Sequence, residues 1–552
     1  MEITSTFANL PKSSWYAVAP FLLIALALSS IRLYTTWNYY DTLKKLELGP
    51  KNGKTTISPP QIPYTLPFLG NSLGFLNLQP GQFWQKLFSW HPRTSGACTL
   101  LLGGRKTHIL YSKHAVQAMF KDRIMKRDVF ERDMYFKVFL MPAQQVQYAM
   151  DGMHFEHEMN AAYLTRPERV NELTATFCKV LDSVLSKDAE DMVKKDSVGL
   201  YDWLRDRMFT ASTVALLGDN ILKMYPNYCE DFFKFDQEFL AYLFGLPNFM
   251  LREAIVRRKR LLDKLEEWSK AMHEESGGEP IDPEGPSWEP LFGSRLNRAR
   301  QLDYKKRKLN SRSGAALDLG ITFGLSSNVI PATGWMLMHI LNPKGDPTLL
   351  GRVMTELKRA EKPDGSVEIA TLVTLPLIQS IWTETLRLHT DVLVTRNLAE
   401  DTTLPLDEDG KTSIKMRKGD SVFAPSWISQ HDPHTWHDGK APPEVFYADR
   451  FVVPDPENPG QQVFSMAGTS GKFFPFGGGR TICPGRVFAK QEGMGALAMI
   501  LLRFEFDVLG FVDKDSKAID HFPGFANQYP GAGALTPGGD FKVRMRRRER
   551  LN

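Results

Sequence analysis

The sequence predicts a mainly α-helical chain with minor β structure, preceded by an N-terminal transmembrane helix. Three observations carry this. Helical apolar periodicity dominates residues from about 75 to 270 and returns at Ala315–Leu341, Leu372–Leu388 and Arg486–Leu502. The β-like runs, such as Asp420-Ser-Val-Phe-Ala424, are short and come late. Near the N-terminus, Trp15–Leu33 is an apolar stretch just long enough to cross a bilayer. With 552 residues and 43% hydrophobic side chains, the chain can bury a large core. A formal net charge of +5 is small for this length. The basic residues gather at Lys305–Lys308 and in the tail from Lys542 to Arg550, with no aromatic-interleaved stripe, so no nucleic-acid partner is expected.

The first element is the apolar stretch itself. Trp15 and Tyr16 flank one end, and Tyr34, Trp37, Tyr39 and Tyr40 the other, as interfacial residues do. Arg32, Lys44 and Lys45 follow the span, which by the positive-inside rule leaves the body of the chain cytoplasmic. Nothing resembling a small-residue cleavage site precedes a disulfide-rich chain, which weighs against a cleaved signal peptide. The expectation is a single-pass anchor over residues 1–34 in a membrane such as the endoplasmic reticulum. Residues 35–74 should form a linker and proline-rich hinge, and 75–552 a catalytic body. Pro59, Pro60, Pro63 and Pro67 remove backbone donors and fix φ, so the hinge should be stiff and extended.

Along the body, amphipathic helices reach about residue 270. Gly277–Ser287 is rich in turn formers. A long apolar helix is expected over Ala315–Leu341, interrupted in its hydrogen bonding by Pro331, which cannot donate to the Ser327 carbonyl. A second helix follows at Leu372–Leu388. A Gly- and Pro-rich loop leads to Cys483 and the last apolar helix, and short strands close the chain. No internal repeat is present.

The four cysteines, Cys98, Cys178, Cys229 and Cys483, show neither CxxC nor zinc spacing, so neither a disulfide scaffold nor a zinc site is expected. Three read as buried small hydrophobes. Cys483 differs, because it lies in Phe474-Pro-Phe476-Gly477-Gly478-Gly479-Arg480-Thr481-Ile482-Cys483-Pro484-Gly485-Arg486. Gly477 and Gly479 permit a tight turn and close approach to a flat group. A helix begins just after Gly485, and a sulfur at a helix N-terminus is favoured as thiolate. Phe476 can shield it from water. Upstream, Glu384 and Arg387 stand i, i+3 on one helix face. Arg450, in Pro443-Glu-Val-Phe-Tyr-Ala-Asp-Arg450-Phe, supplies a second guanidinium, and Glu384 can pair with both.

The proline hinge, the Glu384/Arg387/Arg450 triad and the Cys483 loop, in that order, resemble cytochrome P450 over nearly the whole length. The resemblance implies a mostly helical prism, haem as cofactor, Cys483 as axial iron ligand and a structural triad. It also puts Arg396 opposite a haem propionate and His431 near the cofactor. An arginine two residues before the cysteine is usual in the family; here it is Thr481. The usual acid–threonine pair of the long helix is replaced by Ser327 and Asn328. The Asn328-x-x-Pro-Ala-Thr-x-Trp335 pattern resembles the branch of bile-acid-pathway sterol hydroxylases and prostacyclin synthase. Ser327 and Asn328 are therefore the expected oxygen-side residues.

What this implies is oxidation of a lipophilic substrate of terpenoid, sterol or polyketide type, in secondary metabolism or elsewhere. It would use O₂ and electrons from an NADPH-dependent reductase, with membrane lipid as a further partner. Two other readings stay open: a haem-thiolate isomerase or dehydratase acting on a peroxide, and a haem-binding membrane protein without catalysis. The segments Phe136–Met141, Asp391–Val394 and Phe525–Tyr529 are the expected substrate lining. The stretch from Phe232 through Phe244–Met250 to Arg257–Arg260 is a candidate second membrane contact.

Overall fold

A computed structural model describes residues 12–48, 53–191, 195–437, 439–527 and 529–549. The chain folds into two compact units, one of residues 1–78, 82–127 and 394–425, the other of residues 79–81, 128–393 and 426–552.

In the first unit, helix α1 spans Lys12–Glu47. The expected boundary at residue 34 falls inside it, because nothing after Tyr34 breaks a helix before Gly49. Phe21, Leu23 and Leu26 point away from the protein, each more than 60% exposed. Such a surface suits lipid rather than water. The C-terminal half is gripped instead. Thr35 donates to the Tyr64 carbonyl at 3.0 Å and accepts from the Tyr64 amide, while the buried Tyr39 hydroxyl meets His91 Nδ1 at 2.8 Å. The proline hinge is extended and also held: Ile62 N–H donates to the Thr99 carbonyl, and Thr99 N–H to that of Pro60. Two sheets complete this unit. One orders Thr55–Ile57, Thr412–Met416 and Thr402–Pro405; the other orders Ala97–Leu102, Arg105–Leu110, Ser421–Pro425 and Leu393–Asn397.

The second unit is helical around one apolar core. Its labelled helices are α2 (Leu200–Leu217), α3 (Tyr228–Leu243), α4 (Arg252–Glu275), α5 (Ser311–Ser326), α6 (Val329–Ile340), α7 (Pro376–Leu388) and α8 (Arg486–Arg503). Its strands include β1 (Thr390–Asp391), β2 (Phe504–Asp513), β3 (Gly533–Ala534) and β4 (Gly539–Arg547). β2 pairs antiparallel with β4, and β3 with β1 through Gly533↔Asp391 and Ala534↔Thr390. α2 starts where it does because Asp540 on β4 accepts the Tyr201 and Asp202 amides at 2.7 and 3.1 Å, serving as a cap supplied from far along the chain.

Two expectations are sharpened here. The single helix over Ala315–Leu341 is two helices, α5 and α6, parted at Ser327–Asn328. Pro331 accounts for the break, since the Ser327 carbonyl has no donor four residues on. The Phe232–Arg260 stretch is less free than its composition suggests. Phe232, Phe233 and Phe235 are buried. Arg257 pairs with Glu238, Arg260 with Asp231, and Arg258 donates to the Lys137 carbonyl under the Tyr242 ring. Only Phe249, Met250 and Val256 there present large exposed apolar surface.

Candidate functional site

Cys483 owes its position to a turn and a helix. Gly477 and Gly479 adopt left-handed φ of 71° and 67°, which side chains resist. Between them Gly478 is extended, and residues Gly479–Thr481 make one 3₁₀ turn. The Cys483 amide donates to the Phe476 carbonyl at 3.0 Å, closing the loop. Arg486, first residue of α8, donates back to the Cys483 carbonyl at 3.0 Å. A Cβ on Gly485 would stand 3.7 Å from Cys483 Sγ, so the sulfur lies over the first turn of α8. The helix dipole and the N-terminal amides favour a thiolate at that place. Cys483 keeps accessible surface. Burial pushes the Cys178 thiol up to about 12, and those of Cys98 and Cys229 well above the ordinary range. Those three are inert thiols.

Behind the loop, Glu384 and Arg387 on α7 are fully buried. Arg387 Nε and Nη2 donate to the two Glu384 oxygens at 2.7 and 2.8 Å, a bidentate pair. Arg450 Nε reaches only Glu384 Oε1, at 3.0 Å, and the Tyr447 amide shares that oxygen at 3.2 Å. Arg450 spends its remaining donors on the carbonyls of Trp436, Pro442 and Val445. Gln430, which sequence reasoning missed, joins this cluster to the loop. Its carbonyl accepts from Arg387 Nη1 at 2.9 Å, and its Oε1 accepts from the Phe474 amide at 3.4 Å. The adjacent His431 stacks on Trp427 with centroids 3.6 Å apart. Nothing local marks Gln430, because its partners, the Arg387 guanidinium, the Thr390 hydroxyl and several backbone groups, are brought in by the fold. Arg396 lies in the first unit, buried on strand Leu393–Asn397, and donates to the Thr395 carbonyl.

At the break between α5 and α6, Asn328 Oδ1 accepts from the Ala534 amide of β3 at 2.9 Å. Its Nδ2 donates to Ser327 Oγ at 3.1 Å, and Ser327 donates to the Phe323 carbonyl at 2.7 Å. A Cβ on Gly533 would sit 2.4 Å from Asn328 Oδ1, so only glycine fits there. Asn328 and Gly324 stay exposed on one face of helices otherwise buried, and a Cβ on Gly324 would meet nothing within 4 Å. Nearby, Phe139 packs on Phe235, Phe239 and Phe323.

The other expected lining residues are partly committed elsewhere. Phe136 and Leu140 are exposed, Asp391 is fully buried, and Phe525 packs edge-on to Trp335, His389 and Trp427. Sequence reasoning also missed a buried histidine pair, His339 and His389, with Nε2 atoms 2.7 Å apart. Burial holds both well below the ordinary imidazole range, so both are neutral.

A haem fits these residues. There is an accessible thiol at a helix N-terminus, a glycine turn around it, and open space beside Gly324 and Asn328. The comparisons agree. The Cytochrome P450 family model matches residues 60–533. The chain is similar to cytochrome P450 monooxygenase efuG of Hormonema carpetanum, 27% identical over 593 residues and the full length of both. It is 29% identical over 403 residues to cytochrome P450 monooxygenase calL of Penicillium decumbens, covering 71% of this chain and 72% of the relative. It is also 29% identical over 330 residues to cholesterol 7-alpha-monooxygenase of Cricetulus griseus, covering 56% of this chain and 60% of that one. From its fold, its cysteine loop and a family match over most of its length, the chain belongs to the cytochrome P450 family, as a haem monooxygenase that oxidises lipophilic substrates with electrons from a redox partner.

Proposed function

We propose that Cys483 is the axial thiolate of this monooxygenase and that Asn328, with Ser327, serves the oxygen side. We assign Phe476, Gly477, Gly479 and His431 to the cofactor side, with Arg396 as the family's propionate arginine, and Glu384, Arg387 and Arg450 to a structural triad. The observation that carries this reading is the Cys483 sulfur over the first turn of α8, in a glycine turn closed by the bond from its amide to the Phe476 carbonyl. When bound, a thiolate-ligated haem supplies the activation of dioxygen for insertion of one oxygen atom into substrate.

The protein's part on the oxygen side falls to Asn328. Its Oδ1 and one Nδ2 hydrogen are taken by Ala534 and Ser327, which fixes the amide plane and leaves one N–H to hold a water. Ser327 keeps its proton on the Phe323 carbonyl, so it orients Asn328 rather than donating. We assign residues 1–34 to the membrane anchor, 35–74 to the linker and hinge, and 75–552 to the catalytic body. That body faces the cytoplasm from the endoplasmic reticulum membrane and takes electrons from an NADPH-dependent reductase. Similarity to fungal monooxygenases supports a tailoring role in secondary metabolism, and similarity to a cholesterol monooxygenase supports a polycyclic skeleton.

The test is Asn328→Ala in the reductase-coupled enzyme, with a sterol that shifts the haem spin state. Haem content should hold, while hydrogen peroxide formed per NADPH consumed should rise several-fold. Unchanged coupling would reduce Asn328 to a brace for β3. Turnover of a peroxide substrate without reductase would return the reading to an isomerase.

A further inference from the structure

Asp236 sits on α3 one turn after Phe232 and three residues before Phe239, so the three share its inward face. Phe239 stacks on Phe323 of α5 with ring centroids 4.2 Å apart and planes 13° from parallel. A small cavity of about 20 Å³, room for a hydroxyl or a water, opens beside this stack, and Gln237 and Leu240 line it together with Asp236, Phe239, Phe323, Asn527, Tyr529 and Ala532. Phe239 and Phe323 give it aromatic walls, and its polar groups come from two directions: Asp236 and Gln237 from α3, and Asn527 and Tyr529 from the segment before β3.

Among the described residues the Asp236 carboxyl takes no hydrogen bond and no ion pair. The arginines of α4 do not serve it, being committed to Glu238, Asp231 and the Lys137 carbonyl. Asn527 Oδ1 accepts from the Thr536 amide at 2.7 Å, which orients the side chain and leaves its NH₂ group to donate elsewhere. Tyr529 meets Phe244 edge-on at 6.4 Å, and its hydroxyl likewise has no partner among the described residues.

Burial without a counter-charge pushes Asp236 up to about 8, so near neutral pH it is a carboxylic acid with one donor and one acceptor. Asp236 keeps some accessible surface and has no protein partner among the described residues, so its carboxyl can complete its hydrogen bonds with a ligand. A neutral acid, a phenol and an amide together match a neutral oxygen function. A cation would call for an ionised carboxylate, and among the described residues no cationic side chain pairs with Asp236 to stabilise one.

We propose that Asp236 determines specificity: with Asn527 and Tyr529 it grips a free hydroxyl on an otherwise apolar, ring-bearing substrate whose skeleton lies against Phe239 and Phe323. This rests on the reading of the chain as a monooxygenase of lipophiles, and it names the substrate class as polycyclic alcohols.

The experiment uses the full-length haem protein and matched probes: a sterol, a decalin and a triterpene, each as the free alcohol, the methyl ether and the deoxy compound. Affinity is read from the haem spin-state shift. At least one alcohol should bind about 10-fold or more tightly than its ether and deoxy forms. Asp236→Leu should collapse that ratio towards one with the haem spectrum otherwise intact. Asp236→Asn, which keeps a donor and an acceptor in place, should retain most of it. Equal binding of alcohol and deoxy forms by the wild type, an unchanged ratio in Asp236→Leu, or preference for an amine analogue would each overturn the assignment. If no probe perturbs a haem of normal thiolate spectrum, the lipophile reading fails and takes this inference with it. Binding without discrimination overturns this inference alone.

Discussion

A cysteine is a soft ligand only as a thiolate, and the four cysteines of this chain divide on that criterion. Burial raises the pKa of the Cys98, Cys178 and Cys229 thiols, whereas Cys483 stands at the N-terminal turn of α8. Cys483→Ser should therefore abolish the far-red Soret band of the reduced carbonyl complex. Serine at 98, 178 or 229 should keep it, and survival of the band in Cys483→Ser would refute the ligand assignment. Glu384 makes a second prediction at this scale. It is the one acid that Arg387 and Arg450 share, and all three side chains are buried. Glu384→Ala removes the acid that both guanidinium groups share, a loss of about 3–5 kcal/mol by analogy with broken buried pairs. The variant should accumulate little haem-loaded protein. A soluble, haem-replete Glu384→Ala that had lost only turnover would contradict a structural role.

Between elements, α8 and α2 are joined through a fully buried acid. Glu492 accepts from Ser212 Oγ, its other oxygen has no partner, and burial raises its pKa to about 8 from an ordinary value of 4.5. The folded state therefore holds a proton that the unfolded chain releases near pH 4.5. Stability falls as pH rises from there to about 8 and levels off above it, with a slope of at most about 1.4 kcal/mol per pH unit. Glu492→Gln keeps the acceptor for Ser212 without the titration. Thermal unfolding midpoints measured from pH 5 to 9 should show this variant gaining on the wild type towards pH 8. Parallel curves would mean that Glu492 does not titrate in this window. The junction of α5, α6 and β3 behaves differently, because Asn328 bonds the Ala534 amide over a glycine that has no room for a Cβ. That contact ties the helix break to the segment that follows Tyr529.

At the scale of the whole molecule, α1 has two kinds of surface. Its N-terminal part exposes Phe21, Leu23 and Leu26, while Thr35 and Tyr39 fasten its C-terminal part to the hinge and to His91. Removing residues 1–34 cuts the helix just before these fastenings, so the body should fold and bind haem as before. Release from membranes should be partial, because Phe249, Met250 and Val256 offer a second apolar contact. The arginines that follow them are already paired and add little, so raising salt should change the residual binding only slightly. Sedimentation of the truncated chain with vesicles checks this. Complete partition into the aqueous phase, even at low salt, would argue against the second contact.

What the sequence determined by itself is the part governed by local rules. Apolar period, glycine spacing and proline placement disclosed the helical class, the N-terminal helix, the turn before Cys483 and the break at Pro331, because each depends on residues a few positions apart. The pairing of Glu384 with Arg387 was legible for the same reason, being an i, i+3 contact. Only tertiary structure decided which groups are spent. Asn328 looked free in sequence, yet two of its hydrogen-bonding sites are taken by Ala534 and Ser327. Arg257 and Arg260 looked like a basic surface, yet acids on α3 hold them. Gln430 and Asp236 carried no signal at all, one a bridge from the Arg387 guanidinium to the Phe474 amide and the other an acid without a hydrogen bond among the described residues. Hydrogen bonding and desolvation depend on which atoms meet in space, and local spacing encodes neither.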